Sequence, residues 1–556
     1  MIKNKIRLGD LLEEKGLITK EQLQKALAIQ QENSYNKKLG EILVNEGYIE
    51  EKELAQILAN QLGLEFIDLF SVEIDFSLFE SYPINLFKNA DAIVFKEDEN
   101  FVHIAIADPL NYDAIELFEK HIAVKPIKLY VATKSEIKHI FERFEIIQTT
   151  KSLIESVKRD IQSGSLKNEN EQSSVMKLIE QIIKNAVFNN ASDIHIEPST
   201  SQAVVRNRID GVLRESFIFE KEVYNALTSR IKILGNLDIS ERRKAQDGRF
   251  SLQISQKSYD FRLSTVPTLY GESIVLRILD QQKALLKLNE LGFNKKNLKK
   301  MENFLNTPYG IVFVTGPTGS GKTTTLYAAL NEIKGVENKA ITIEDPIEYR
   351  LPLIQQIQVN EKIGFTFSHI LRSVLRQDPD IIMVGEARDY ETLNAAVQAS
   401  LTGHLVFSTL HTNDAPSAIT RMVQMGLEPY LIADSLIGIV SQRLARKICP
   451  YCKTKYRPHR NILEKVEKYL PKNVEFYKGE GCAKCMFTGY SGRIVISEIL
   501  ENTNLLSHLI SSNANKFEIV KEAKKEGYAP MIIDGLRKSL MGITTLEEVL
   551  RVVKVS

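Results

Sequence analysis

The sequence predicts a multidomain α/β protein, and three observations carry that expectation. At 556 residues the chain is longer than the ~250–300 residues that a single hydrophobic core serves. Its C-terminal half alternates short β-branched runs with helical stretches, the pattern of a parallel sheet. Third, Gly316-Pro317-Thr318-Gly319-Ser320-Gly321-Lys322-Thr323 fits G-x-x-x-x-G-K-[ST]. An apolar run, Gly310–Thr315, precedes that loop and a helix-like stretch, Thr324–Asn331, follows it.

Strand, loop and helix in that order form a cradle for nucleoside triphosphate. Glycines let backbone N–H groups approach the phosphates, and the helix N-terminus adds partial positive charge. Lys322 is expected on the β- and γ-phosphates and the Thr323 hydroxyl on Mg²⁺, with ATP as the nucleotide.

Composition narrows the class. Hydrophobic residues make up 43% and charged residues 26%, ordinary values for a globular protein. Lys plus Arg number 72 and Asp plus Glu 71, so the net charge is +1 and no bulk footprint for nucleic acid exists. Apolar runs are broken by charge well short of a membrane span. The first ten residues lack an apolar signal core. A cytoplasmic protein is expected, peripheral at a membrane through partners.

The elements follow in order. Residues 1–145 form an N-terminal module that opens on a tandem helical repeat over 7–61. Arg7-Leu-Gly-Asp-Leu-Leu12 aligns with Lys38-Leu-Gly-Glu-Ile-Leu43, and the match continues through Gly16/Gly47, Ile18/Ile49, Leu23/Leu54, Leu27/Leu58 and Gln30/Gln61. Each copy reads as two short amphipathic helices, with Thr19 and Gln22 as a capping box. An α+β continuation reaches residue 145. Residues 146–174 are assigned to a linker, most clearly the polar stretch Ser163–Ser174. A second α+β domain covers 175–281, with Asp210-Gly211 as a hairpin turn. The nucleotide-binding domain covers 288–556 and carries an insert at 446–490.

Two acidic strand ends belong with the phosphate loop. Ile341–Glu344 runs into Asp345 and Glu348, and Ile381–Val384 runs into Gly385 and Glu386. Ligand-binding groups of a parallel sheet sit at the carboxyl ends of its strands. Glu386 is the expected water-activating base, and Glu344 the expected metal and water positioner. His404 and His411 bracket an apolar strand whose far end, with His411, should approach the γ-phosphate. Arg262 and Arg277 in the preceding domain, with Arg372, Arg376 and Arg388, are candidates for stabilising phosphoryl-transfer charge.

These motifs, together with Gln246-Asp-Gly-Arg249, Asp193-Ile-His-Ile-Glu197, Leu375–Asp389 and Gln398–Asn413, resemble the secretion ATPases of type II secretion and type IV pilus assembly, the GspE/PilB family. The resemblance covers most of residues 175–500. Departures are Asn207 between Arg206 and Arg208, and Ala387 where isoleucine is usual. The resemblance implies a RecA-like P-loop ATPase core preceded by a PAS-like α+β domain. It also implies a homohexamer that turns ATP hydrolysis into domain rotation, an inner-membrane platform protein as client, and a membrane-bound docking partner. Arg262 and Arg277 would meet the nucleotide phosphates as the domains close. A nucleic-acid translocase on the same core and a non-hydrolysing regulatory protein are the competing functions. Charge balance disfavours the first, and intact Lys322, Thr323, Glu344 and Glu386 disfavour the second.

All four cysteines fall into two C-x₂-C pairs, Cys449/Cys452 and Cys482/Cys485, with 29 residues between the pairs. Two such knuckles make a closed tetrahedral site, and structural Zn²⁺ is expected. The N-terminal repeat resembles the tandem motif by which some of these ATPases bind cyclic di-GMP. Lys38 stands where that motif has a second arginine, and seven residues, 31–37, separate the copies where five are usual. A helical docking module that keeps only the repeat's packing residues is the alternative.

Overall fold

The computed structural model describes residues 8–554 except 33–37, 71, 73, 123–124, 164–172, 255–256, 280–285 and 472–473. It divides into an N-terminal unit reaching to Leu153 and a larger unit built mainly from Ile154 onward.

The N-terminal unit opens with the repeat as two helix pairs, Leu8–Glu14 with Lys20–Glu32 and Leu39–Asn45 with Glu51–Leu62. The first helix of each pair stops because Gly16 and Gly47 turn left-handed, at φ +69° and +70°. Thr19 N donates to Gln22 Oε1 (2.8 Å) and Gln22 N to Thr19 Oγ1 (3.2 Å), which is the expected capping box. Equivalent residues Leu12/Leu43, Ile18/Ile49 and Leu23/Leu54 share one core. Gly9 and Gly40, each in the first turn of its helix, are consumed by this packing. A Cβ on Gly9 would stand 2.7 Å from Leu23 Cδ1, and one on Gly40 2.9 Å from Leu54 Cδ2. Arg7 lies outside the described residues.

A four-stranded sheet follows, built from β1 (Glu65–Phe66), β2 (Ala92–Glu97), β3 (Val102–Ile106) and β4 (Ile127–Val131) in the order β1-β4-β3-β2. After it comes helix Lys134–Gln162. Most of the segment assigned to a linker is therefore helical. Ile146, Thr150 and Val157 are buried along one face at helical spacing, a sparse stripe that a polar sequence conceals. Residues 164–172, the most polar part of that segment, lie outside the described residues.

In the larger unit, helix Ser174–Phe188 leads into a six-stranded antiparallel sheet. Its strands are β5 (Ala191–Pro198), β6 (Gln202–Ile209), β7 (Val212–Glu220), β8 (Gln246–Ile254), β9 (Lys257–Thr268) and β10 (Gly271–Leu279), in the order β7-β6-β5-β10-β9-β8. Asp210 and Gly211 both take positive φ, as a two-residue hairpin turn requires. Asn207 is buried and donates to Asn185 Oδ1 (3.3 Å), so the polar residue between the two arginines serves a contact with the helix. Gly248 admits no side chain, because its Cβ would lie 2.3 Å from Gly235 O.

The C-terminal sheet has seven strands. They are β11 (Gly310–Thr315), β12 (Ala340–Glu344), β13 (Ile354–Gln358), β14 (Ile381–Val384), β15 (Leu405–Leu410), β16 (Leu436–Ile448) and, beyond the short pair β17 (Lys453–Tyr456) and β18 (Phe476–Gly479), β19 (Tyr490–Glu501). The order is β13-β12-β14-β15-β11-β16-β19; the first six are parallel and β19 is antiparallel to β16. β11, β12, β14 and β15 are buried along their whole length, which is why they read as unbroken apolar runs. β15 separates the strand of the phosphate loop from the strand that leads to Glu386. The 446–490 insert is the extended tip of the β16/β19 hairpin. Among the described residues no helix is long and apolar enough to cross a membrane.

Candidate nucleotide site and four-cysteine cluster

The phosphate loop leaves β11 at Thr315 and enters helix Lys322–Ile333. Gly316 is required at its start, because a Cβ there would meet Ser320 Oγ at 2.5 Å and Gln442 O at 2.6 Å. Lys322 Nζ donates to Gly316 O (2.9 Å) and Pro317 O (3.4 Å), folding back over the loop. Burial lowers the Lys322 pKa, against the pull of Glu386, and Arg443 lowers it further. Thr323 is exposed on the first helical turn.

The loop is pinned from beneath by a residue that local sequence reading missed. Gln442, fully buried on β16, donates from Nε2 to Ser320 O (2.9 Å) and accepts at Oε1 from Thr325 Oγ1 (2.9 Å). One amide thus fixes the backbone of the loop and the helix behind it. The signal in the sequence was a glutamine two residues past the apolar run Leu436–Val440.

Glu386 follows β14 by two residues, and its carboxylate lies 2.9 Å from His411 Nε2 and 2.8 Å from Arg388 Nε. Both backbone segments are held: Gly385 N donates to Ile343 O (2.8 Å), and Thr409 Oγ1 donates to Gly385 O (2.8 Å). The expected acid and the expected histidine therefore meet at the carboxyl edge of adjacent strands. His404 sits at the opposite end of β15, with Nδ1 2.8 Å from Ala399 O.

Glu344 ends β12 but is nearly inaccessible. Its carboxylate accepts from the Tyr327 hydroxyl, from Thr342 Oγ1 (2.6 Å) and from Gln356 Nε2 (3.0 Å). Burial and the adjacent Glu344 push the Tyr327 phenol upward, so it remains a donor.

Arg262 and Arg277 line one cleft of about 360 Å³ with Asp247, Arg249 and Pro346. Arg262 Nη1 lies 2.9 Å from Glu348 Oε2, and Nη2 donates to Ile347 O, so it grips the acidic loop just past Glu344. Arg277 Nε donates to Asp193 Oδ1 (3.0 Å) within its own sheet. Arg372 lies 3.6 Å from Glu391, and Arg376 donates to Arg372 O (2.9 Å); both are surface contacts.

At the hairpin tip the ligand atoms of Cys449, Cys452, Cys482 and Cys485 all lie within 4.8 Å of one another, and the last two sulfurs are 3.7 Å apart. A tetrahedral ion with Zn–S bonds near 2.3 Å requires S···S separations of about 3.8 Å, so the four thiols fit such an ion. Gly479 and Gly489 allow the two arms to close, since a Cβ on Gly479 would stand 2.1 Å from Gly489 O.

A family profile described as type II/IV secretion system protein matches residues 168–551, and an MshEN domain profile matches 62–150. The type IV pilus assembly ATPase PilB of Myxococcus xanthus is 39% identical over 560 residues, covering 98% of both chains. This chain belongs to the type II/IV secretion ATPase family. The type II secretion system ATPase E of Vibrio cholerae is 42% identical over 446 residues, 80% of this chain and 88% of that one. Among solved structures, the Yersinia pseudotuberculosis ATPase DotB covers 70% of this chain and 95% of its own at 20% identity, with a TM-score of 0.53, a likeness of fold alone. The secretion ATPase is an α/β enzyme that hydrolyses ATP.

Gln442→Met keeps the side-chain volume and removes both hydrogen bonds under the phosphate loop. Loss of these two bonds is expected to weaken binding of a non-hydrolysable ATP analogue about tenfold, measured by titration calorimetry.

Proposed function

We propose that this ATPase is the cytoplasmic motor of a pilus- or pseudopilus-assembling machine, working as a homohexamer against an inner-membrane platform protein and held there by a membrane-bound docking partner. The observation that carries the chemistry is the Glu386–His411 pair at the carboxyl edge of β14 and β15, beside the phosphate-loop strand. The near full-length similarity to a pilus assembly ATPase supports the assembly role.

In this reading residues 175–281 form a PAS-like domain and residues 288–556 a RecA-like one. ATP binds with its β- and γ-phosphates on the 316–321 loop and Lys322, and Mg²⁺ on Thr323. Glu386 accepts the proton of the attacking water, with His411 and Arg388 orienting its carboxylate. Glu344, whose buried oxygens accept from three donors, fixes the acidic strand end, and a role in positioning the metal and its water would require it to give up one of those donors. Arg262 and Arg277 exchange Glu348 and Asp193 for nucleotide phosphates as the cleft rearranges.

Steady-state hydrolysis and nucleotide binding test the assignment together. Lys322→Ala should weaken ATP binding, while Glu386→Gln should retain ATP and lose ~10²-fold or more in turnover. Wild-type turnover by the Glu386→Gln enzyme would remove Glu386 from the base role.

The four cysteines would hold one structural Zn²⁺, whose binding contributes to local folding. Elemental analysis should give one zinc per chain, lost in Cys482→Ser with ATP binding retained. A zinc-free protein with four titratable thiols would rule the site out.

The N-terminal repeat is proposed as a module that docks the membrane partner, with cyclic di-GMP binding as the competing role. Arg7 offers a planar fork for guanine or phosphate. Lys38 is paired with Asp108 in the structure, so the ligand would have to displace that contact. Titration of the full chain with cyclic di-GMP should stay silent at high micromolar ligand, leaving docking as the role. Heat that Arg7→Ala abolishes would establish cyclic di-GMP binding instead.

A further inference from the structure

Arg443 follows the glutamine that pins the phosphate loop, and on a strand it therefore faces the other side of the sheet. Its Nη1 donates to Gln442 O (2.9 Å), the same carbonyl that a Cβ on Gly316 would strike. Its Nη2 donates to Asn413 O (2.9 Å) and lies 3.4 Å from Asn413 Oδ1. Asn413 stands two residues beyond His411. One guanidinium thus spans two backbone carbonyls, one against the phosphate loop and one on the turn that carries the partner of Glu386.

Arg443 makes no ion pair among the described residues, and the two acids whose charge acts on it, Glu498 and Asp414, are already committed. Asp414 accepts from Lys516 Nζ (2.8 Å) and Ser417 N (2.8 Å). Glu498 is buried and accepts from Ala415 N and Met531 N, both at 2.7 Å. A half-buried cation held on neutral carbonyls, with no carboxylate of its own, is oriented by geometry rather than by charge pairing. A planar fork can bridge two carbonyls, one on β16 and one on the turn past β15, which a lysine ammonium, as a point charge, does not reproduce.

We propose that Arg443 is a positioning residue for ATP hydrolysis, fixing the 411–413 turn, and through it the His411–Glu386 pair, against the phosphate loop. The proposal rests on Glu386 and His411 being the hydrolytic pair. Phosphate binding is left mainly to Lys322 and the loop amides, so the consequence of losing the fork falls on turnover. Arg443→Lys retains the charge and the strand while removing the bridge.

The test is a double-mutant cycle on the full-length enzyme, with steady-state ATPase kinetics and binding of a fluorescent ATP analogue for Arg443→Lys, His411→Ala and the double variant. Arg443→Lys should lower kcat about tenfold with KM changed less than about threefold, and in the His411→Ala background it should cost less than about twofold further. Retained analogue binding confirms that the nucleotide site is intact. An equal loss in both backgrounds, the signature of a merely structural role or of misfolding, overturns the proposal, as does an unchanged kcat. Glu386→Gln run alongside separates the two claims: wild-type turnover there refutes the hydrolytic pair itself, whatever Arg443 does.

Discussion

Strand direction is the constraint on which the nucleotide site depends. Six neighbouring strands run the same way, so the phosphate loop, Glu344, Glu386 and His411 all emerge on one edge although they lie far apart in sequence. Parallel strands cannot be joined by tight turns, and each return path is a helix or long crossover packed on the sheet. The interior strands consequently have no wet face, and their residues are almost wholly apolar. Polar groups at the edge can be desolvated only where they find partners, as Glu344 does with Tyr327, Thr342 and Gln356.

The order of those strands decides which groups meet. Had β14 been the direct neighbour of β11, Glu386 would have faced the phosphate loop without His411. With β15 between them, the residues just past its end fall beside both. Adjacent parallel strands are ~4.8 Å apart, so groups leaving two successive edges are within reach of one hydrogen bond, and groups two strands apart are joined only by long side chains. The arginine at position 443, on the far neighbour of β11, is such a chain.

How much could be read from the sequence follows from how local each signal is. The phosphate loop, the capping box of Thr19 and Gln22, the turn at Asp210-Gly211 and the 31-residue repeat are short-range patterns, and the structure carries each of them. Glu386 and His411 were legible as strand ends, and their 2.9 Å contact needed the strand order. Gln442 and Arg443 were not legible as site residues, because their partners Ser320, Thr325 and Asn413 lie 30 to 122 residues away. The helix running to Gln162 was concealed for a different reason: only a thin apolar stripe marks it, and the surrounding charge resembles a tether. Gly9 and Gly40 belong to the repeat for a packing reason visible only in the fold, their close approach to Leu23 and Leu54 of the same module.

The strand β16 carries two unlike chemistries. Gln442 and Arg443 lie near its middle, and Cys449 follows its last residue, roughly 23 Å further along at ~3.3 Å per residue. β16 is paired through most of its length with β19, which leads back from the second cysteine pair. In a two-stranded ladder a slip of one residue turns every side chain to the opposite face. Bringing four sulfurs to one point permits a single alignment of the two strands. The cluster at the tip is thus compatible with the alignment in which, near the middle of β16, the amide meets Ser320 and the guanidinium meets Asn413, an alignment that pairing with β11 and β19 also holds.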